Sequence, residues 1–99
     1  MTKVIIDMNN PVFQKDLFAL DKNDQLALIR VLKKINQLTW SELYKDQGLK
    51  WELIISKTSY NKERVYSFRF SGKYRALALR EESFLRLLTL HVDHDSAYK

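Results

Sequence analysis

A chain of 99 residues with 45% hydrophobic and 12% aromatic content has room for one domain around one core, spanning 1–99, which excludes a second domain and intrinsic disorder. Seventeen Lys and Arg against twelve Asp and Glu give a formal charge of +5; this favours phosphate-bearing or acidic partners, although the same charge also serves solubility. The lack of cysteine excludes a disulfide scaffold and a thiolate zinc site, so the fold must stand on its apolar core.

The first apolar run, Val4, Ile5 and Ile6, is too short for a signal-peptide core or a membrane span, so a cytoplasmic location and no membrane contact are expected. It reads instead as an edge strand. Asn9-Asn10-Pro11 is a helix start, because Asn10 can accept a hydrogen bond from an orphan N–H while Pro11 gives up an N–H that the first turn does not need. Phe13, Leu17 and Leu20 then mark the inward stripe of a helix over 11–20. Asp21 and Asn23 offer caps for a second helix over 24–38, whose stripe is Leu28, Val31, Leu32, Ile35 and Leu38. Together they predict a helical hairpin. Trp40 to Tyr44 has the pattern of one further helical turn, and Gly48 that of a turn residue.

From Leu49 the apolar period changes to two. Strands are expected over 49–55, 64–70, 74–80 and 84–91, with Tyr66, Phe68 and Phe70 on one face of the second and Val65, Ser67 and Arg69 on the other. Turn signals at Ser71-Gly72-Lys73 and Glu81-Glu82-Ser83 join the last three into an antiparallel meander. The expected fold is therefore α+β, with the N-terminal helical hairpin packed on one face of the meander sheet.

Five of the six arginines, Arg64, Arg69, Arg75, Arg80 and Arg86, fall in the strand half. A planar guanidinium suits bidentate binding of phosphate oxygens, but strand arginines also serve as solvated breaks in apolar runs, and Arg64 and Arg86 fit that reading. Arg75 differs. It shares the parity of Leu77 and Leu79, and a cation on an apolar strand face costs desolvation unless it is paired. After the last strand, His91, Asp93, His94, Asp95 and Tyr98 concentrate both histidines beside carboxylates. Such a group can move protons near neutral pH, hold a metal, or simply form a polar cap. No Gly-rich phosphate loop, nucleophile elbow or metalloprotease helix is present.

The stretch Phe68-Arg69-Phe70-Ser71-Gly72-Lys73-Tyr74-Arg75-Ala76-Leu77, the helical hairpin before a meander, and a last strand closing on histidine and tyrosine together resemble toxins of the RelE/ParE superfamily. What the resemblance implies is the toxin of a toxin–antitoxin pair, held in check by a cognate antitoxin protein. Members similar to RelE cleave messenger RNA, usually on the ribosome and without a metal or other cofactor; ParE-like members inhibit DNA gyrase without catalysis. Carried over to this chain, Arg75 would stabilise the phosphorane, His91 or His94 would act as acid or base, and Tyr98 would orient the substrate base. Arg69, Lys73 and Arg80 would contact the substrate.

Overall fold

The strong alternation after Gly48 and the two capped helices before it settle into eight elements in a computed structural model, which describes residues 2–58, 64–72 and 74–91. They are β1 (Ile5–Asp7), α1 (Pro11–Ala19), α2 (Lys22–Asn36), α3 (Trp40–Lys45), β2 (Glu52–Thr58), β3 (Arg64–Ser71), β4 (Tyr74–Glu81) and β5 (Phe84–His91). The expected α+β class holds. The sheet runs β1-β5-β4-β3-β2: β2 to β5 form the antiparallel meander, while β1 pairs with β5 in parallel, Ile5 opposite Phe84. The sheet is thus mixed, because the helices and the meander lie between β1 and β5 and carry the chain back in the same direction.

Local chemistry explains the helix limits. Asn10 Oδ1 accepts from the Val12 N–H at 2.9 Å, with Pro11 in the first turn. Asp21 caps α2, so that helix starts at Lys22, two residues before the expected Asp24. It ends at Asn36 because Thr39 opens α3: the Thr39 hydroxyl accepts from the Glu42 N–H at 3.2 Å and the Glu42 carboxylate accepts from the Thr39 N–H at 2.9 Å, a reciprocal capping box. The first meander strand starts at Glu52, later than the expected 49. Before it, the Leu49 N–H is taken by Asp46 Oδ1 and Lys50 adopts a left-handed φ of 50°. In the β3–β4 turn Gly72 takes a φ of 49°, a conformation that is free of penalty only without a Cβ.

One face of the sheet carries Phe68, Phe70, Ala76, Ala78, Leu85 and Leu87, and these merge with Phe13, Leu28, Leu32, Ile35, Trp40 and Leu43 of the helices into the main core. A smaller cluster of Ile54, Val65, Leu77 and Leu79 lies on the other face. The parity read from β3 and β4 is therefore the parity observed. Beyond Asp7 the outer edge of β5 no longer faces β1, and α1 takes over: Asn10 Nδ2 donates to Leu87 O at 3.3 Å and Asp16 Oδ2 accepts from the Leu90 N–H at 3.0 Å. Covering an edge in this way satisfies strand groups that would otherwise invite pairing.

Asp46 closes the turn between α3 and β2. Its carboxylate lies 2.8 Å from Lys34 Nζ and accepts from the Leu49 N–H at 3.0 Å. The Lys34 contact above all holds its carboxyl below the usual range; burial opposes it, and the Leu49 N–H adds a smaller lowering effect. A carboxyl whose pKa is lower folded than unfolded stabilises the fold above the unfolded value of about 3.9 and loses that contribution as pH falls through the folded value. The thermal stability of Asp46→Asn should accordingly fall short of wild type at neutral pH and approach it as acidification protonates the folded carboxyl; a gap that stays constant on acidification would contradict this account.

Candidate phosphate-binding face

Cross-strand register builds the site on the sheet face away from the helices. Arg69 on β3 is directly opposite Arg75 on β4, and Arg75 is directly opposite His91 on β5. One step along the strands, Glu52 on β2 is opposite Ser67 and Ser67 opposite Leu77, which in turn is opposite Thr89. Directly opposed residues project to the same side, so two arginines, a histidine, a carboxylate and two hydroxyls share one patch.

Arg75 is the centre of this patch and is only 4% exposed. Its Nη2 donates to Ser67 Oγ at 2.9 Å, to Lys50 O at 3.0 Å and to Glu52 Oε1 at 3.3 Å. Its Nε is buried and has no partner among the described residues. Burial is the main force lowering the guanidinium's affinity for its proton; the Glu52 carboxylate opposes this, and the Arg69 cation adds to it. An arginine nonetheless stays charged, so the cation expected from strand parity has the partners that such a position demands. Two like charges set directly opposite on a sheet repel. The patch therefore favours an anion between Arg69 and Arg75.

His91 lies at the other side of Arg75, with its Nε2 3.0 Å from the Thr89 hydroxyl. Glu52, with a side chain 50% exposed, lies on the β2–β3 side. A carboxylate and an imidazole thus flank the guanidinium across the sheet, and an arrangement of that kind can take a proton on one side of a bound phosphate and give one on the other.

Not every expected contact residue joins this patch. Arg80 lies on the helix face: its guanidinium stacks 4.3 Å from the centroid of the Trp40 ring, Nη1 donates to the Tyr44 hydroxyl at 3.2 Å, and Nε donates to Glu82 O at 3.1 Å. The reason is parity, since Arg80 is an odd number of residues from Arg75 along β4. Arg86 is a surface ion-pair partner of Asp7 and Glu81, as the solvated reading has it. Lys73, His94 and Tyr98, with Asp93 and Asp95, lie outside the described residues. Among the described residues no group of three or more potential metal-ligating side chains occurs.

Glu52 and Ser67 were not singled out in the sequence. Ser67 carried a signal in its parity with Val65 and Arg69, and the structure buries it fully. Glu52 carried none beyond its place in an alternating run; only the β2–β3 register brings it to Arg75.

Fold and patch together define an α+β domain with a cationic sheet face centred on a buried arginine. No protein-family model and no curated protein match the chain. A solved structure described as a copper-bound mutant toxin from Helicobacter pylori is similar at 19% identity and a TM-score of 0.48, covering 97% of this chain and 98% of that one. A likeness at that level assigns neither family nor function.

Proposed function

We propose that the protein is a small toxin of the RelE/ParE type that cleaves RNA without a metal, on the face centred on Arg75. The observation that carries this reading is the placement of Glu52 and His91 on opposite sides of Arg75, with Arg69 alongside. The resemblance of the Arg69–Leu79 stretch and of the chain's order of elements adds to it. In the reaction, the ribose 2′-hydroxyl attacks the adjacent phosphorus while its proton passes to the Glu52 carboxylate. The P–O5′ bond breaks, and the leaving 5′-oxygen takes a proton from His91 or from a tail histidine. The products are a 2′,3′-cyclic phosphate and a 5′-hydroxyl end. Arg75 and Arg69 stabilise the charge that builds on the non-bridging oxygens.

Control by an acidic protein partner belongs to the same reading. A segment rich in Asp and Glu would seat on the arginine face and exclude RNA, with association that slows as salt rises.

The test is to incubate the purified chain with end-labelled RNA, free and loaded on ribosomes, with and without EDTA. Fragments ending in 2′,3′-cyclic phosphate, formed equally in EDTA, are the expected result. No cleavage of either substrate, or cleavage that EDTA stops and a divalent ion restores, would overturn the nuclease reading. A non-catalytic binder would then be left.

A further inference from the structure

Arg75 Nη2 has two hydrogens and three acceptors. The Ser67 hydroxyl at 2.9 Å and the Lys50 carbonyl at 3.0 Å lie in the ordinary N–H···O range. Both are held in place by the fold: Ser67 is fully buried in β3, and Lys50 sits in the left-handed turn before β2. Glu52 Oε1 is the third acceptor at 3.3 Å, longer than the roughly 2.7–2.9 Å of a well-made charge-assisted bond. It is also the member of the trio whose side chain stands half in solvent, whereas that of Arg75 is 5% exposed. The carboxylate therefore covers the guanidinium from the solvent side, at a distance where charge contributes more than hydrogen-bond geometry.

We propose that Glu52 is a built-in counterion whose carboxylate occupies the place on Arg75 that a phosphate group of the ligand takes, so that ligand binding is an exchange of one anion for another. This rests on the reading of the face as a phosphate site and adds how that site is kept filled. The exchange leaves the Ser67 and Lys50 bonds in place, so Arg75 does not move and only the half-exposed Glu52 carboxylate gives up its contact, staying beside the bound phosphate where it can take the 2′-hydroxyl proton. It also explains how two directly opposed arginines are tolerated: Glu52 offsets the repulsion, and a bound phosphate takes over that role. Glu52 thereby sets the affinity of the face for anions, since every bound phosphate must compete with a carboxylate tethered beside it.

The experiment compares wild type with Glu52→Gln and Glu52→Asp. Glutamine keeps an oxygen that can accept from Nη2 while removing the charge, so the fold is retained, as thermal melts will verify. Two probes are titrated: inorganic phosphate, followed by NMR of the arginine side-chain N–H signals, and an oligoribonucleotide blocked from cleavage by 2′-deoxy substitution, followed by fluorescence anisotropy. Glu52→Gln should bind both more tightly, on the order of threefold to tenfold, the effect of removing one like charge at a surface-like dielectric. Glu52→Asp should stay near wild type, and adding Arg75→Ala to Glu52→Gln should abolish the gain. A residue that merely propped up Arg75 would give weaker binding in Glu52→Gln, and weaker or unchanged binding of phosphate overturns the exchange. Tighter phosphate binding with no oligonucleotide binding supports the exchange while removing RNA as the ligand. Wild-type oligonucleotide binding that is lost in Arg75→Ala but unaltered in Glu52→Gln overturns the exchange and leaves the RNA reading standing.

Discussion

Arg75→Ala should lower RNA cleavage by about 10²–10³-fold, the usual cost of removing one group that stabilises an anionic transition state. Among the described residues Arg75 is the one cation on this face that is buried and held by several acceptors, so its charge acts in a setting less screened than a solvated side chain. Truncation also removes the hydrogen bonds that Arg75 donates to the Ser67 hydroxyl and the Lys50 carbonyl, and a hydrogen bond from a charged group contributes about 1.5–3 kcal/mol. Lost rate must therefore be separated from lost fold. Arg75→Lys does this: it keeps a positive charge but cannot present the planar fork, so it should retain a cooperative melt while still losing at least about tenfold in rate. His91→Ala is a further arm, with a fall of about 10²–10⁴-fold if this imidazole is the acid. Arg80→Ala, on the opposite face beneath Trp40, is the control and should cleave at close to the wild-type rate. Folded Arg75→Ala protein with undiminished cleavage would move the chemistry elsewhere.

Trp40→Ala should be severely destabilising. The Trp40 ring is 3% exposed and belongs to the main core. It meets Tyr44 and Trp51 at centroid distances of 6.0 and 5.8 Å and carries the Arg80 guanidinium on its face. Its Nε1 donates to Ser83 O at 2.9 Å, and its backbone N–H donates to Thr2 O at 3.0 Å. One residue at the start of a six-residue helix thus joins the N-terminal segment, α3 and the β4–β5 turn. Truncating a buried large aromatic costs about 3–5 kcal/mol, against a total of roughly 5–15 kcal/mol for a domain of ordinary stability. For a chain of this size each kcal/mol is worth roughly 4–8 °C, so the melting midpoint should fall by more than about 12 °C. Arg80→Ala removes an exposed cation–π contact, worth about 0.5–1 kcal/mol, and two solvent-exposed hydrogen bonds, and should shift it by only a few degrees. Equal shifts for the two variants would show that the aromatic cluster is not what secures this corner.

Local chemistry settled much of the chain before any long-range contact was known. The caps at Asn10 and Asp21 depend on residues three or fewer positions away, and the faces of β3 and β4 follow from a period of two. Arg75 stood out for the same reason: its parity with Leu77 and Leu79 placed a charge among apolar side chains, which no strand tolerates without partners. Arg80 could have been set apart from Arg75 by that same parity. Its role as a cation over Trp40 could not, because the ring comes from a helix some forty residues earlier.

Tertiary structure alone decided who the partners of Arg75 are. Parity within one strand says which face a side chain takes, but not which residue of the neighbouring strand lies opposite it; that register is set by turn geometry, by irregularities such as those between Leu53 and Thr58 or Leu77 and Ala78, and by packing of the whole sheet. It is register that brings Glu52 and Ser67 to the Arg75 guanidinium from one side and sets His91 opposite Arg75 on the other strand. The parallel pairing of β1 with β5 is of the same kind, since a three-residue strand carries too little pattern to choose its neighbour. The helices, the alternating strands and the buried arginine were determined by the sequence locally; the carboxylate and hydroxyl that bond that arginine, and the imidazole on the strand beside it, come together only when strands distant in sequence are laid side by side.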